Sequence, residues 1–118
     1  IKFIQSNLLD KINLPVDLIV TNLPYIPTER IPYLENSVKD FEPQIALDGG
    51  LDGFNLYRKL FKQIKKKGWT PKLLIGEIDY THGELATVEA QKYFPKATVE
   101  VRKDLAKKQR ILLIRQLL

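Results

Sequence analysis

At 118 residues, with 44% hydrophobic and 28% charged residues, the chain has the composition of one small globular domain with a modest core. It has no cysteine and one histidine, which excludes disulfides and leaves no metal-ligand set, and no apolar run reaches the length of a membrane span. The formal charge of +5 raises nucleic acid as a partner, but the basic stretches Lys62 to Lys67 and Arg102 to Lys108 lack the interleaved aromatics of a base-stacking surface and read as solvated faces.

In chain order, Ile1 to Gln5 alternates weakly and predicts a short strand, and Ser6 to Ile12 a turn with a short helical piece. A strand-like start without a polar lead-in suggests a fragment of a longer protein. Val16 to Thr21 is a compact β-branched run, expected to form a strand buried on both faces. It runs into Asn22-Leu23-Pro24-Tyr25-Ile26-Pro27, where two prolines forbid further ladder pairing. Thr28 to Gly50 is irregular, a length of loop that is usually functional or mobile.

Asp52 is placed to cap a helix from Gly53 to Lys67, whose inner face carries Phe54, Tyr57, Leu60, Phe61 and Ile64. Gly68 then ends it, and Trp69 is expected to pack over that end. Lys72 to Ile78 predicts a second buried strand, and Tyr80 to Tyr93 a helix with Leu85 and Val88 inward. Lone His82, near that helix start, reads as a surface residue. Ala97 to Val101 and Arg110 to Ile114 predict strands joined as an antiparallel edge hairpin. Alternating strands and helices make the fold class α/β with a mostly parallel sheet.

The chemistry-bearing candidate is Asn22-Leu23-Pro24-Tyr25, at the C-terminal end of a parallel strand, where open α/β sheets bind ligands. One planar group of Asn22 offers a donor and an acceptor, suited to an amide or an amidine-like base edge. The Leu23 carbonyl can accept the second N–H of a target NH₂. Pro24 stiffens the loop, and Tyr25 can cover a planar target. Such a pocket suits methyl transfer to a poor nitrogen nucleophile, which needs the lone pair aimed rather than a strongly shifted base. The bland alternative is a strand-ending turn; position after the Val16 to Thr21 run favours the pocket. Gly49, Gly50 and Gly53 lack phosphate-loop spacing and read as a turn before a helix.

At these residues the chain resembles a known family. Asp17-Leu18-Ile19-Val20-Thr21-Asn22-Leu23-Pro24-Tyr25-Ile26-Pro27 is similar to the signature of class I methyltransferases of the HemK/PrmC type, which methylate a glutamine of peptide chain release factors. Phe41-Glu42-Pro43-Gln44-Ile45-Ala46-Leu47, Gly49-Gly50-Leu51-Asp52-Gly53-Phe54 and Tyr57-Arg58 follow the family's second motif, and Glu77-Ile78, Asp104-Leu105-Ala106 and Arg110 also fit. The resemblance covers essentially the whole chain. Leu23 departs from the usual family proline, which retains the carbonyl but frees φ and adds an N–H.

The resemblance implies a Rossmann-like sheet of order 3-2-1-4-5-7-6, of which this chain would lack the first two strands and their glycine-rich cofactor loop. It implies Asn22, Pro24 and Tyr25 as catalytic residues. Substrate would be bound by Asn22, Leu23, Pro24 and Tyr25, with Phe41, Glu42 and Pro43 as a pocket wall, although those three also read as a packed loop anchoring Asn22. Glu77 either faces the site or supports the Asn22 loop. S-adenosyl-L-methionine is the implied cofactor, with Asn7 (where the family has Asp), Leu8 and Asn22 as its contacts here. The implied partner is release factor, in the cytoplasm, with no metal and no membrane. A ribosomal-protein glutamine methyltransferase, an adenine-N6 nucleic-acid methyltransferase and a non-catalytic remnant are the competing readings. With its neighbours absent, the Val16 to Thr21 edge should pair with a second copy or with Ile1 to Gln5 folded back.

Overall fold

A computed structural model describes residues 1–117. Four strands form one sheet: β1 (Leu18–Thr21), β2 (Leu73–Glu77), β3 (Thr98–Lys103) and β4 (Gln109–Arg115), in the order β1-β2-β4-β3. β1 pairs parallel with β2, while β4 runs antiparallel to both β2 and β3. Three strands therefore point one way and β4 opposes them. This is the 4-5-7-6 half of the expected order, hairpin included.

Three helices complete the fold: α1 (Asn36–Lys39), α2 (Asn55–Lys67) and α3 (Gly83–Tyr93). The apolar stripe of α2 holds: Phe54, Tyr57, Leu60, Phe61 and Ile64 are all buried. They meet Ile19, Leu74, Leu112 and Ile114 from the sheet. Phe54 stacks on Tyr57 with centroids 4.9 Å apart, and Phe61 meets Phe94 edge-on at 5.3 Å. Burial of each such side chain contributes about 1.5–3 kcal/mol. Asp52 accepts the Phe54 N–H at 2.9 Å in the turn before α2 rather than capping the helix as expected, since the helix starts at Asn55 after Phe54; Gly68 ends it in the left-handed conformation at φ 67°. Trp69 is buried at that end under the Lys67 ammonium, 4.9 Å from its ring centre.

Several expectations fail, each for a tertiary reason. Ile1 to Gln5 forms no strand and lies exposed without folding back on β1, because no neighbour takes up its backbone groups. Ser6 to Ile12 makes two tight turns, Asp10 N–H to Asn7 O and Ile12 N–H to Leu9 O, rather than a helix. β1 is buried on one face only: Ile19 is covered by the helices, while Leu18 and Val20 are 55% and 68% exposed. On α3 Leu85 packs partly against the core as expected, but the buried residues are Gly83, Ala86 and Ala90, and Val88 is 57% exposed. Small residues bring this helix close to the sheet, which outweighs the preference for burying valine. His82 is buried, not on the surface, packed against the turn that precedes α2. No helix among the described residues is long and apolar enough to cross a membrane.

Candidate functional site

The C-terminal ends of the parallel strands β1 and β2 open onto a cavity of about 210 Å³ lined by Asn22, Leu23, Pro24, Tyr25, Ile26, Glu42, Ala46, Leu47 and Glu77. Asn22 follows the last residue of β1 directly, and its side-chain amide engages no other group among the described residues. Both its donor and its acceptor are therefore free for a ligand. Glu77, the last residue of β2, lines the same space. Glu42 is the one residue of Phe41-Glu42-Pro43 that lines the cavity. Phe41 is 83% exposed and Pro43 lies outside.

The anchor of the Asn22 loop is Leu47 to Gly50 rather than Phe41 to Pro43. Ile26 N–H donates to Leu47 O at 3.1 Å, Gly49 N–H to Ile26 O at 2.8 Å and Thr28 N–H to Gly50 O at 2.9 Å. Asp48 staples this short parallel bridge by accepting from the Thr28 hydroxyl at 2.6 Å and from Gly50 N–H at 2.9 Å. Those bonds hold its carboxyl below the usual aspartate range. Gly53, at φ 86°, is required where it stands, since a Cβ would meet the Tyr25 carbonyl and the His82 ring. A 3₁₀ turn, Thr28–Tyr33, carries Arg30 to the buried Asp79 at 2.8 Å, tying the loop to the start of α3. Asp79 also accepts from Thr81 through its backbone and its hydroxyl.

Tyr25 is half-buried. Burial and the nearby Glu77 carboxylate raise its phenol above the ordinary value, and Arg110, which reaches its hydroxyl at 3.4 Å, acts the other way. Arg110 in turn faces the Tyr80 ring at 5.7 Å and Asp104 at 3.5 Å. Arg110, held by Asp104 in the hairpin, thus reaches Tyr25 from the far end of the sequence. Sequence reasoning missed this role, because only the pairing of β4 beside β2 brings Arg110 to Tyr25. Asp48 and Asp79 were also missed, although an aspartate two residues before Gly50 or Thr81 is the signal of a side-chain-capped turn.

A larger cavity of about 890 Å³ adjoins the same loop, lined by residues including Ser6, Asn7, Leu8, Leu23, Pro24 and Leu56. Leu23 and Pro24 border both spaces. Asn7 and Leu8 line this cleft together with Leu23 and Pro24, whereas Asn22 lines the smaller cavity. The turn that carries Asn7 and Leu8 is held from α2. Gln63 accepts the Leu9 N–H at 2.8 Å and donates to Asn7 O at 3.2 Å and to the Asp10 carboxylate at 2.8 Å. Lys67 donates to Ile12 O at 3.0 Å.

No protein-family model matches the chain. Curated proteins do, and they share one printed name, "Release factor glutamine methyltransferase". The protein of that name from Lactococcus lactis subsp. lactis is 31% identical over 115 residues, 98% of this chain and 43% of that protein. Its counterpart from Clostridium acetobutylicum is 38% identical over 98 residues, covering 82% of this chain and 34% of that protein. The Caulobacter vibrioides protein is 44% identical over 99 residues, covering 82% and 33%. The chain thus spans 33–43% of the length of these relatives. Sequence likeness along nearly the whole chain and an α/β sheet with the expected strand order agree: the chain belongs to the HemK/PrmC family, the release factor glutamine methyltransferases.

Proposed function

We propose that this chain carries the glutamine-binding part of an S-adenosylmethionine-dependent protein-(glutamine-N5) methyltransferase whose substrate is a peptide chain release factor. The observation that carries the reading is the shared wall: Leu23 and Pro24 border both a side-chain-sized cavity and a wider cleft. A target amide in the smaller space and a methyl donor in the wider one would meet where the two adjoin at this loop, in direct contact for in-line transfer.

The wider cleft has the volume for a nucleoside-sized group, and its lining sets polar Gln5, Ser6 and Asn7 and the cations Lys11 and Lys59 beside apolar Leu8, Leu23 and Pro24. Asn7 and Leu8 would hold S-adenosylmethionine there, with Asn22 meeting it from the adjoining small cavity, and that group, when bound, supplies an electrophilic methyl. The chain's own residues prepare the nitrogen. Asn22 accepts one N–H of the glutamine amide through its side-chain oxygen, and the Leu23 carbonyl accepts the other. Both acceptors stabilise the positive charge that grows on that nitrogen during transfer. Pro24 keeps the loop stiff, and Tyr25, held from behind by Arg110, closes over the planar amide.

Charge favours a protein target over nucleic acid. Glu42 and Glu77 both line the small cavity, and a phosphate backbone brought to this rim would meet their negative charge. The test is mass spectrometry on a protein of the relatives' length that carries this chain, incubated with S-adenosylmethionine and release factor. A methyl gain on one glutamine, abolished by Asn22→Ala, is expected. Methylation of DNA with none on release factor would overturn the proposal.

A further inference from the structure

Tyr57 lies on α2, is fully buried, and its side chain joins the ends of both strands that form the small cavity. Its phenol donates to the Glu77 carbonyl at 2.6 Å. A carbonyl can only accept, so the single phenolic proton is committed there. The contact of 3.2 Å with the Thr21 hydroxyl must then run the other way, with Thr21 donating to the Tyr57 oxygen. The result is a directed chain: Thr21 hydroxyl, Tyr57 phenol, Glu77 carbonyl. Thr21 ends β1 and precedes Asn22, and Glu77 ends β2.

The phenol fits between the strands because position 76 has no side chain. A Cβ on Gly76 would collide with both the Tyr57 oxygen and the Thr21 hydroxyl. Gly76 is the register partner of Thr21 in the parallel pair, so the gap sits level with the last rung before the cavity. From this geometry we infer that Tyr57 is a positioning residue, whose hydroxyl sets the spacing of Asn22 against Glu77 and so the width of the amide pocket. The inference rests on the proposed glutamine pocket for its meaning, but its geometric content does not depend on activity. Packing alone would not need the hydroxyl, because the ring's apolar contacts with Phe54 and Phe61 are made by its carbon atoms.

The chain itself is the test object. Tyr57→Phe keeps the ring and removes the hydroxyl, and Thr21→Val removes the other end of the relay without disturbing the core. NMR of the Asn22 backbone amide, which follows Thr21 directly, reports its order without any ligand, and titration with a glutamine-containing peptide reports the pocket. In both variants the Asn22 backbone amide signal is expected to broaden or shift toward a mobile loop, while the sheet amides of β3 and β4 stay in place. Peptide affinity is expected to fall about tenfold, the scale on which modest misplacement acts. If the wild-type chain binds no peptide, the glutamine reading suffers but the Asn22 order still decides the positioning role. Unchanged Asn22 order in both variants, with only a lower melting temperature, would overturn it. Should Tyr57→Phe not fold, Thr21→Val alone gives the same two outcomes.

Discussion

Replacing Gln63 by leucine should loosen the Asn7 to Ile12 turn while leaving the domain folded. Gln63 makes three hydrogen bonds to that turn, at 2.8, 3.2 and 2.8 Å. The two to Asn7 O and Asp10 involve exposed groups that water can satisfy, so their net loss is small, about 0.5 kcal/mol together. The Leu9 N–H sits on a half-buried residue, and leaving it without its acceptor costs about 1–1.5 kcal/mol. The sum, about 1.5–2 kcal/mol, corresponds to a 10- to 30-fold rise in the opening equilibrium of the turn. Leu8, Leu9 and Ile12 still pack against the core, and Lys67 still holds Ile12 O, so the turn stays attached. Leucine suits the helix as well as glutamine does, which protects α2 itself. Amide hydrogen exchange by NMR reads this directly. Leu9 protection should fall 10- to 30-fold with α2 and β2 amides unchanged. Equal protection at Leu9 in both proteins would refute the fork as the holder of the turn, and equal loss everywhere would show a global rather than a local effect.

Acid should weaken the fold through His82. Burial lowers its pKa, with Asp79 opposing and Arg30 adding to the shift, and Asp52 and Arg58 acting more weakly. Its Nδ1 has no partner among the described residues. A lowered folded pKa means that the unfolded chain takes up the proton first. The stabilising contribution is complete above the ordinary value of 6.5 and is lost as pH falls from there through the folded pKa. Thermal melts should show this shoulder, and His82→Gln should remove it; a shoulder that persists in the variant would assign it to another group. The β1 edge, with Leu18 and Val20 exposed, should drive pairing with a second copy at high concentration, and Val20→Lys should suppress it. Sedimentation of a monomer at every concentration would end that idea. Calorimetry of this chain with S-adenosylmethionine should show no measurable heat, because the cleft carries Asn7 and Leu8 but no glycine-rich phosphate-type loop or acidic strand end; micromolar binding would mean that the cleft is sufficient by itself.

Local pattern determined a good deal of this protein. The apolar spacing of α2 fixed its buried face, because a 3.6-residue period has one way to face a core. The prolines after Thr21 ended β1 where the sequence changes character, and the Asn22 to Tyr25 motif, with the Phe41 to Arg58 match, named the family before any coordinate was considered. What failed depended on neighbours distant in sequence. Nothing in Ile1 to Gln5 tells a strand from an exposed segment, since a strand exists only by pairing. Nothing around Val88 shows that Ala86 and Ala90 would take the inner face, because that choice was made by how closely α3 approaches the sheet. His82 became buried only when the turn at Gly53 closed over it. The pocket itself divides in the same way: Asn22, Leu23, Pro24 and Tyr25 are contiguous and were legible, whereas Glu77, Arg110 and Tyr57 reach them through strand pairing and helix packing. Sequence supplied the group that can hold an amide, and only the tertiary structure could set its distance from the groups around it.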